Sequence, residues 1–258
     1  IGLMDRPDMQ RQDPLEVDLD RDGGVLVVGA SGAGATATAT ALAAAASEHP
    51  IDTWHVHVID AGGGSSCLRN VPAVGDVIAV NDTERVRRLL RDSLGEIDRR
   101  SELRRCDPDA ASWGRPETPR RMIVVDGMAA FEHHHGRVDR GIAVDHLARI
   151  AREGRANGVH LVLTAQRRAE VPMELIGLIG TRLVLRCTSP DEAALWGLDE
   201  TASTTASMPP GRCRVDGTEA QISWYGDTST HSGTEPGRRA PAVPRCPTSV
   251  GVGEIASA

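Results

Sequence analysis

A stretch from Gly24 to Ala46, GVLVVGASGAGATATATALAAAA, constrains this chain more than any other. Val25, Leu26, Val27 and Val28 read as a short buried strand, Gly29, Gly32 and Gly34 as a turn, and the alanine run as a helix. Strand, glycine loop and helix together make an anion cradle. Glycines let backbone N–H groups point inward with no Cβ in the way, and the helix N-terminus adds about half a positive charge. Gly29, Gly34 and Thr36 fit the phosphate-loop spacing G-x-x-x-x-G-K-[ST], except that Ala35 stands where the pattern has lysine. All 29 basic residues are arginine, so no lysine elsewhere in the chain can replace it.

The rest of the chain alternates short apolar runs with helical periodicity. Ile1 to Asp22 is polar and proline-marked, with an edge strand expected at Leu15 to Leu19. HVHVID (His55 to Asp60) and GDVIAV (Gly75 to Val80) read as strands. From Asp82 to Arg105, Val86, Leu89, Leu90, Leu94, Ile97 and Leu103 lie near helical spacing behind Asp82 as N-cap. The arginines of that helix interleave with Glu84, Asp92, Glu96, Asp98 and Glu102, which reads as a salt-bridged solvent face rather than a DNA surface. MIVVDG (Met122 to Gly127) is a continuous apolar strand ending in an aspartate, as buried parallel strands do. Three adjacent histidines, His133 to His135, cannot all point at one ion, so an exposed loop is expected there. Helical spacing from Ile142 to Ala156 precedes the strand VHLVLTA (Val159 to Ala165), a short helix near Val171 to Ile179, and the strand TRLVLRC (Thr181 to Cys187). Ser189 and Pro190 start a further helix, and weak strands near Cys213 to Val215 and Ala220 to Trp224 close a domain spanning 1–225. Residues 226–258 are rich in Ser, Thr, Gly and Pro and are expected to be a disordered tail.

This alternation predicts an α/β fold, a mostly parallel central sheet with helices on both faces. Ligands of such sheets sit at the carboxyl ends of the strands, where the Gly29 loop, Asp60, Asp126 and Gln166 would gather. Composition narrows the partners. A net charge of -7 argues against nucleic acid as the main one, no run is apolar enough to cross a bilayer, and five scattered cysteines without a C-x-x-C pair fit reduced thiols. An opening on Ile1 instead of methionine points to a piece of a longer protein.

In a P-loop NTPase the loop backbone wraps the phosphates of ATP. The Thr after the lysine and an aspartate closing an apolar strand hold Mg2+. Thr36 and Asp126 fit those two metal roles. The missing lysine removes a charged contact, and such hydrogen bonds contribute roughly 1.5 to 3 kcal/mol each. Gly127 follows Asp126, so no adjacent glutamate positions the attacking water. An arginine from a neighbouring subunit could still act on bound nucleotide, and Arg155, just before a strand, is a candidate.

Several segments, in this order, resemble the FtsK/SpoIIIE-type motor ATPases, and most of all the repeated modules of EccC-type proteins of type VII secretion. They are GLMDRPDMQRQDPLEVDL, IDAGGGSSCLRNVPAVGDVIAVNDTERVRRLL, GRANGVHLVLTAQR and IGTRLVLRCTSPDEA. The resemblance implies a RecA-like P-loop fold, a phosphate loop at Gly29, Ala30, Ser31, Gly32, Ala33, Gly34, Ala35 and Thr36, a Walker B aspartate at Asp126, an arginine finger at Arg155 and a sensor-like glutamine at Gln166. It also implies ATP and Mg2+ as ligands, other modules of the same kind as partners in a hexameric ring, and small helical secreted proteins as cargo, with DNA the lesser expectation. The full protein would sit at the cytoplasmic face of a membrane. Downstream modules of such chains are often degenerate and serve regulation or substrate docking, and Ala35 and Gly127 place this chain with them. Alternatives are an active DNA or protein translocase, a Rossmann NAD(P)-binding oxidoreductase, and an interaction scaffold with an empty pocket. Against the oxidoreductase, the glycines run G-x-x-G-x-G and a tyrosine-lysine pair is impossible.

Overall fold

The computed structural model describes residues 1–108, 111–198, 207–225 and 239–244. Its strands are β1 (Gly2–Arg6), β2 (Arg11–Leu15), β3 (Gly24–Val28), β4 (Trp54–Asp60), β5 (Val74–Ala79), β6 (Arg120–Asp126), β7 (Val159–Ala165), β8 (Thr181–Leu185), β9 (Arg212–Val215) and β10 (Thr218–Ile222). The α-helices are α1 (Leu19–Asp22), α2 (Ala35–Ala45), α3 (Thr83–Cys106), α4 (Met128–His135), α5 (Ile142–Glu153), α6 (Met173–Leu178) and α7 (Pro190–Leu195).

All ten strands join one sheet in the order β2-β1-β10-β9-β8-β3-β7-β6-β4-β5. From β8 to β5 neighbouring strands run parallel, while β9, β10, β1 and β2 extend the sheet antiparallel. The sheet is therefore α/β and mostly parallel at its centre, as the strand pattern predicts. Its central strands are apolar on both sides because both faces are covered. On β3, Leu26 and Val28 enter one core with residues of α3, α4, α5 and α6, while Val25 and Val27 enter the other with α2. The alanines of α2 suit that second face, since side chains no larger than Ala39 and Ala43 let the helix lie close on the sheet.

Helix α3 confirms the salt-bridged reading of its arginines. Arg88 pairs with Glu84, Arg99 and Arg100 with Glu96, and Arg105 with Glu102. Arg100 is buried and also donates to the carbonyls of Asn157 (2.8 Å) and Pro119 (2.6 Å), so it ties α3 to the loops that enter β6 and β7.

Two local expectations change. Leu15 to Leu19 is not a strand: β2 ends at Leu15, and Asp18 accepts a hydrogen bond from the Arg21 N–H to cap α1. The true edge is the β1–β2 hairpin, whose β1 pairs with β10 from the far end of the chain. His133 to His135 are not in a loop but close helix α4. His135 is buried, its Nε2 lying 2.7 Å from the Val80 carbonyl and its ring against Phe131, and no cluster of three metal-ligating side chains occurs among the described residues. Of the stretch 226–258, only residues 239–244 are described. Arg239 donates to the Arg69 carbonyl, Ala240 N–H donates to Pro72 (3.0 Å), and Val243 is buried in the core on the α3 side. The remainder of that expected tail lies outside the described residues.

Candidate functional site

The loop from β3 to α2 is held from outside. Gly29 N–H donates to Ala165 (3.0 Å), Ala30 N–H to Arg186 (2.7 Å), and Gly211 N–H to the Ala33 carbonyl (2.9 Å). Gly32 and Gly34 adopt φ of +74° and +105°, a region that side chains rarely enter. At Gly34 a Cβ would also lie 3.0 Å from the Gly211 nitrogen. This winding turns Ala33 away from the cleft into the core on the α2 side. The N–H groups of Ser31, Gly32, Gly34, Ala35 and Thr36 are left without backbone acceptors among the described residues. A nest of that kind at a helix N-terminus is built to receive anionic oxygens.

A cleft of about 800 Å3 opens over the loop. Gly29, Ala30, Ser31, Gly32, Gly34, Ala35 and Thr36 line it together with Asp126 and Gln166, so the parallel sheet brings most of the predicted site to one place. β3, β6 and β7 are neighbours in register, which sets Asp126 opposite Thr164 and one strand away from the loop. Thr36 Oγ1 donates to Asp126 Oδ1 at 3.1 Å, Thr164 Oγ1 to the same oxygen at 2.7 Å, and Ser65 Oγ to Oδ2 at 3.4 Å. Thr164 Oγ1 in turn accepts from Gly127 N–H (2.8 Å), which fixes the turn after the aspartate. Burial pushes the Asp126 carboxyl above its ordinary value, the Thr164 and Thr36 hydroxyls oppose that rise, and the Asp60 carboxylate adds to it.

Other predicted residues are placed differently. Asp60 does not face the cleft but folds its own loop, accepting from Gly62 N–H (3.0 Å), Gly63 N–H (2.9 Å) and Ser65 N–H (3.2 Å). Gln166 is exposed at the rim, its N–H bound by Glu170 at 2.7 Å. Arg155 packs beside Gly23 and donates to the Arg21 carbonyl at 3.1 Å. Gly23 and the loop lie at opposite ends of β3, about 20 Å apart at the rise of a strand, so Arg155 does not reach the cleft of its own chain.

Several residues in and behind the cleft escape sequence reasoning. Thr164 and Ser65 act through contacts 38 and 61 residues away in sequence. Trp224 and Tyr225 line the mouth from the end of the antiparallel extension, with Trp224 82% exposed. Thr40 Oγ1 is buried on the α2 wall without a partner among the described residues. Among the described residues, the charged ones lining the cleft are Asp126 and Glu170, both acidic. A cation stands beside the loop: Arg186, half-buried after β8, whose Nη2 lies 3.4 Å from the Ser31 carbonyl on the outer side of the loop.

No protein-family model matches the chain. EccC4 of the ESX-4 secretion system of Mycobacterium tuberculosis is 30% identical over 208 residues, 76% of this chain and 16% of that protein. EccC of the ESX secretion system of Thermomonospora curvata is 26% identical over 207 residues, 75% of this chain. The chain spans about 15% of the length of that relative. Among solved structures, ATPases 2 and 3 of Thermomonospora curvata EccC in complex with a signal sequence peptide superpose with a TM-score of 0.80 at 23% identity, over 99% of this chain and 50% of that one. In sequence and in fold the chain thus groups with the FtsK/SpoIIIE-type P-loop ATPase modules of EccC- and EssC-type secretion proteins.

Proposed function

We propose that this chain is a degenerate ATP-binding module of a membrane-associated type VII secretion translocase, one that regulates the motor or docks secreted substrates and hydrolyses ATP weakly or not at all. The observation that carries the reading is the mismatch inside the cleft. Its floor offers a nest of N–H donors, whereas its charged lining among the described residues is acidic and Gly127 occupies the place after Asp126. Phosphate is recognised by geometry while the means of breaking its bond are reduced.

The residues fit a nucleotide with its metal. Thr36 Oγ1 and Asp126 Oδ1, already 3.1 Å apart, are hard oxygen donors suited to Mg2+. A bound magnesium would polarise the phosphate oxygens and offset the two carboxylates at the cleft. The chain's own part is to present the loop N–H groups, keep Asp126 aimed through Thr164 and Ser65, and hold Gln166 at the rim where a terminal phosphate would lie. Asp60, which a dinucleotide fold would turn to a ribose, is occupied by backbone N–H groups, and this weighs against an NAD(P) oxidoreductase.

Partners and location rest on the relatives. A signal sequence peptide is bound in the Thermomonospora curvata structure, which supports small helical secreted proteins as the cargo here, and the net charge of -7 makes DNA the poorer partner. In this reading Arg155, which lies at the opposite end of β3 from its own loop, serves a neighbouring module in a ring of such units. No helix of the described residues is long and apolar enough to cross a membrane, so in this reading attachment at the cytoplasmic face comes from other parts of the translocase.

Calorimetric titration with Mg-ATP, Mg-ADP and NADPH, run beside an ATPase assay, tests this. Micromolar ATP binding with negligible turnover, and no NADPH binding, is the expected result; Ala35→Lys should tighten ATP binding about tenfold. Steady turnover that depends on Asp126 would show an active motor instead, and silence towards every nucleotide in both proteins would show a scaffold.

A further inference from the structure

The loop lacks its lysine, yet a cation stands against its outer wall. Arg186 follows β8, the strand beside β3, and is tied to the loop twice: its carbonyl accepts from Ala30 N–H (2.7 Å) and its guanidinium Nη2 lies 3.4 Å from the Ser31 carbonyl. The backbone of Arg186 is therefore pinned, while its side chain is only half-buried and ends at the tip of the loop. Gly32 separates that guanidinium from the nest. With φ of +74° and no side chain, Gly32 leaves open the space where a Cβ would sit 3.8 Å from Nη2. Among the described residues none that lines the cleft carries a positive charge, whereas the Arg186 head lies 3.4 Å from the Ser31 carbonyl, beside the N–H groups of Ser31 and Gly32.

We propose that Arg186 is a phosphate-binding residue of this module, supplying from the outer rim of the loop the positive charge that the alanine at position 35 does not. This rests on the reading of the cleft as a nucleotide site. Its ligand class is the nucleoside di- and triphosphate. A guanidinium carries five donors, so Nη2 can keep its bond to Ser31 while its remaining N–H groups face distal phosphate oxygens. Arginine suits this approach from outside because its planar head recognises phosphate by geometry as well as by charge.

The test is Arg186→Gln, which keeps an N–H donor for the Ser31 carbonyl and removes the charge. Titrations with ATP, ADP and AMP on the whole chain, with circular dichroism to confirm folding, give the readout. The expected result is a loss of about tenfold or more for ATP, a smaller loss for ADP and almost none for AMP, with Ala35→Lys restoring ATP affinity in the Arg186→Gln background. Unchanged ATP affinity in a folded Arg186→Gln protein would overturn the assignment and leave the nucleotide reading intact. An equal loss for all three nucleotides, or a loss that Ala35→Lys does not restore, would reduce Arg186 to a loop brace. If the unaltered chain binds none of the three, both readings fall.

Discussion

Asp126 shows at the scale of a single residue how a site can work against its own scaffold. Its carboxylate is buried, takes three hydroxyl hydrogen bonds and still titrates above its ordinary value of 3.8. A raised carboxyl pKa means that the native state binds the proton more tightly than the unfolded chain. Stability therefore falls as pH rises from the ordinary value through the raised one, and the penalty persists at neutral pH. Asp126→Asn should raise the thermal midpoint of the ligand-free protein at pH 7, and the gain should shrink to nothing below about pH 4. A scan of midpoint against pH checks this, and a pH-independent difference would mean that packing rather than ionisation sets the effect. The same substitution should abolish the stabilisation given by Mg2+, because the nucleotide's metal loses its charged oxygen.

Elements differ in how far the sequence announces them. β3, its loop and α2 are legible because strand, turn and helix are contiguous, and the closing Asp126 is legible because a continuous apolar run demands a two-sided sheet. The hydroxyls around Asp126, the cation beside the loop and the aromatic mouth are not, since each is delivered by a strand distant in sequence and nearby only in the sheet. The hairpin β1–β2 escapes for a related reason: its partner β10 lies more than 200 residues on. Helix α3 shows that a charge pattern read as surface can conceal one structural member. Its Arg100 is 2% exposed, stacks on Trp113 at 5.1 Å and holds carbonyls before β6 and β7. Arg100→Met leaves those carbonyls without their donor and Glu96 with Arg99 alone, and should cost about 3 kcal/mol of unfolding free energy in a urea titration. Arg99→Met, on the exposed side of the same helix, should change it by less than about 1 kcal/mol.

Across the whole molecule, the cleft and a charged cluster around Asp20 occupy opposite ends of the sheet. The cleft lies at the carboxyl ends of β3, β6 and β7, whereas Arg155, Asp20 and the fully buried His160 cluster at the other end. His160, its Nε2 3.3 Å from Asp20, and then Arg120 hold that carboxyl well below the usual range. The sheet also has two outer edges, and each is guarded by proline. β2 carries Pro14 within the edge strand, and at the start of β5 the segment 239–244 lies with its Pro241 carbonyl against Gly75 and Val243 buried. An open parallel edge is a template on which another chain can crystallise its own strand. The short C-terminal segment thus acts as a colloidal safeguard, and Val243→Asp, by lifting it, should turn a well-behaved solution into one that scatters light on mild warming.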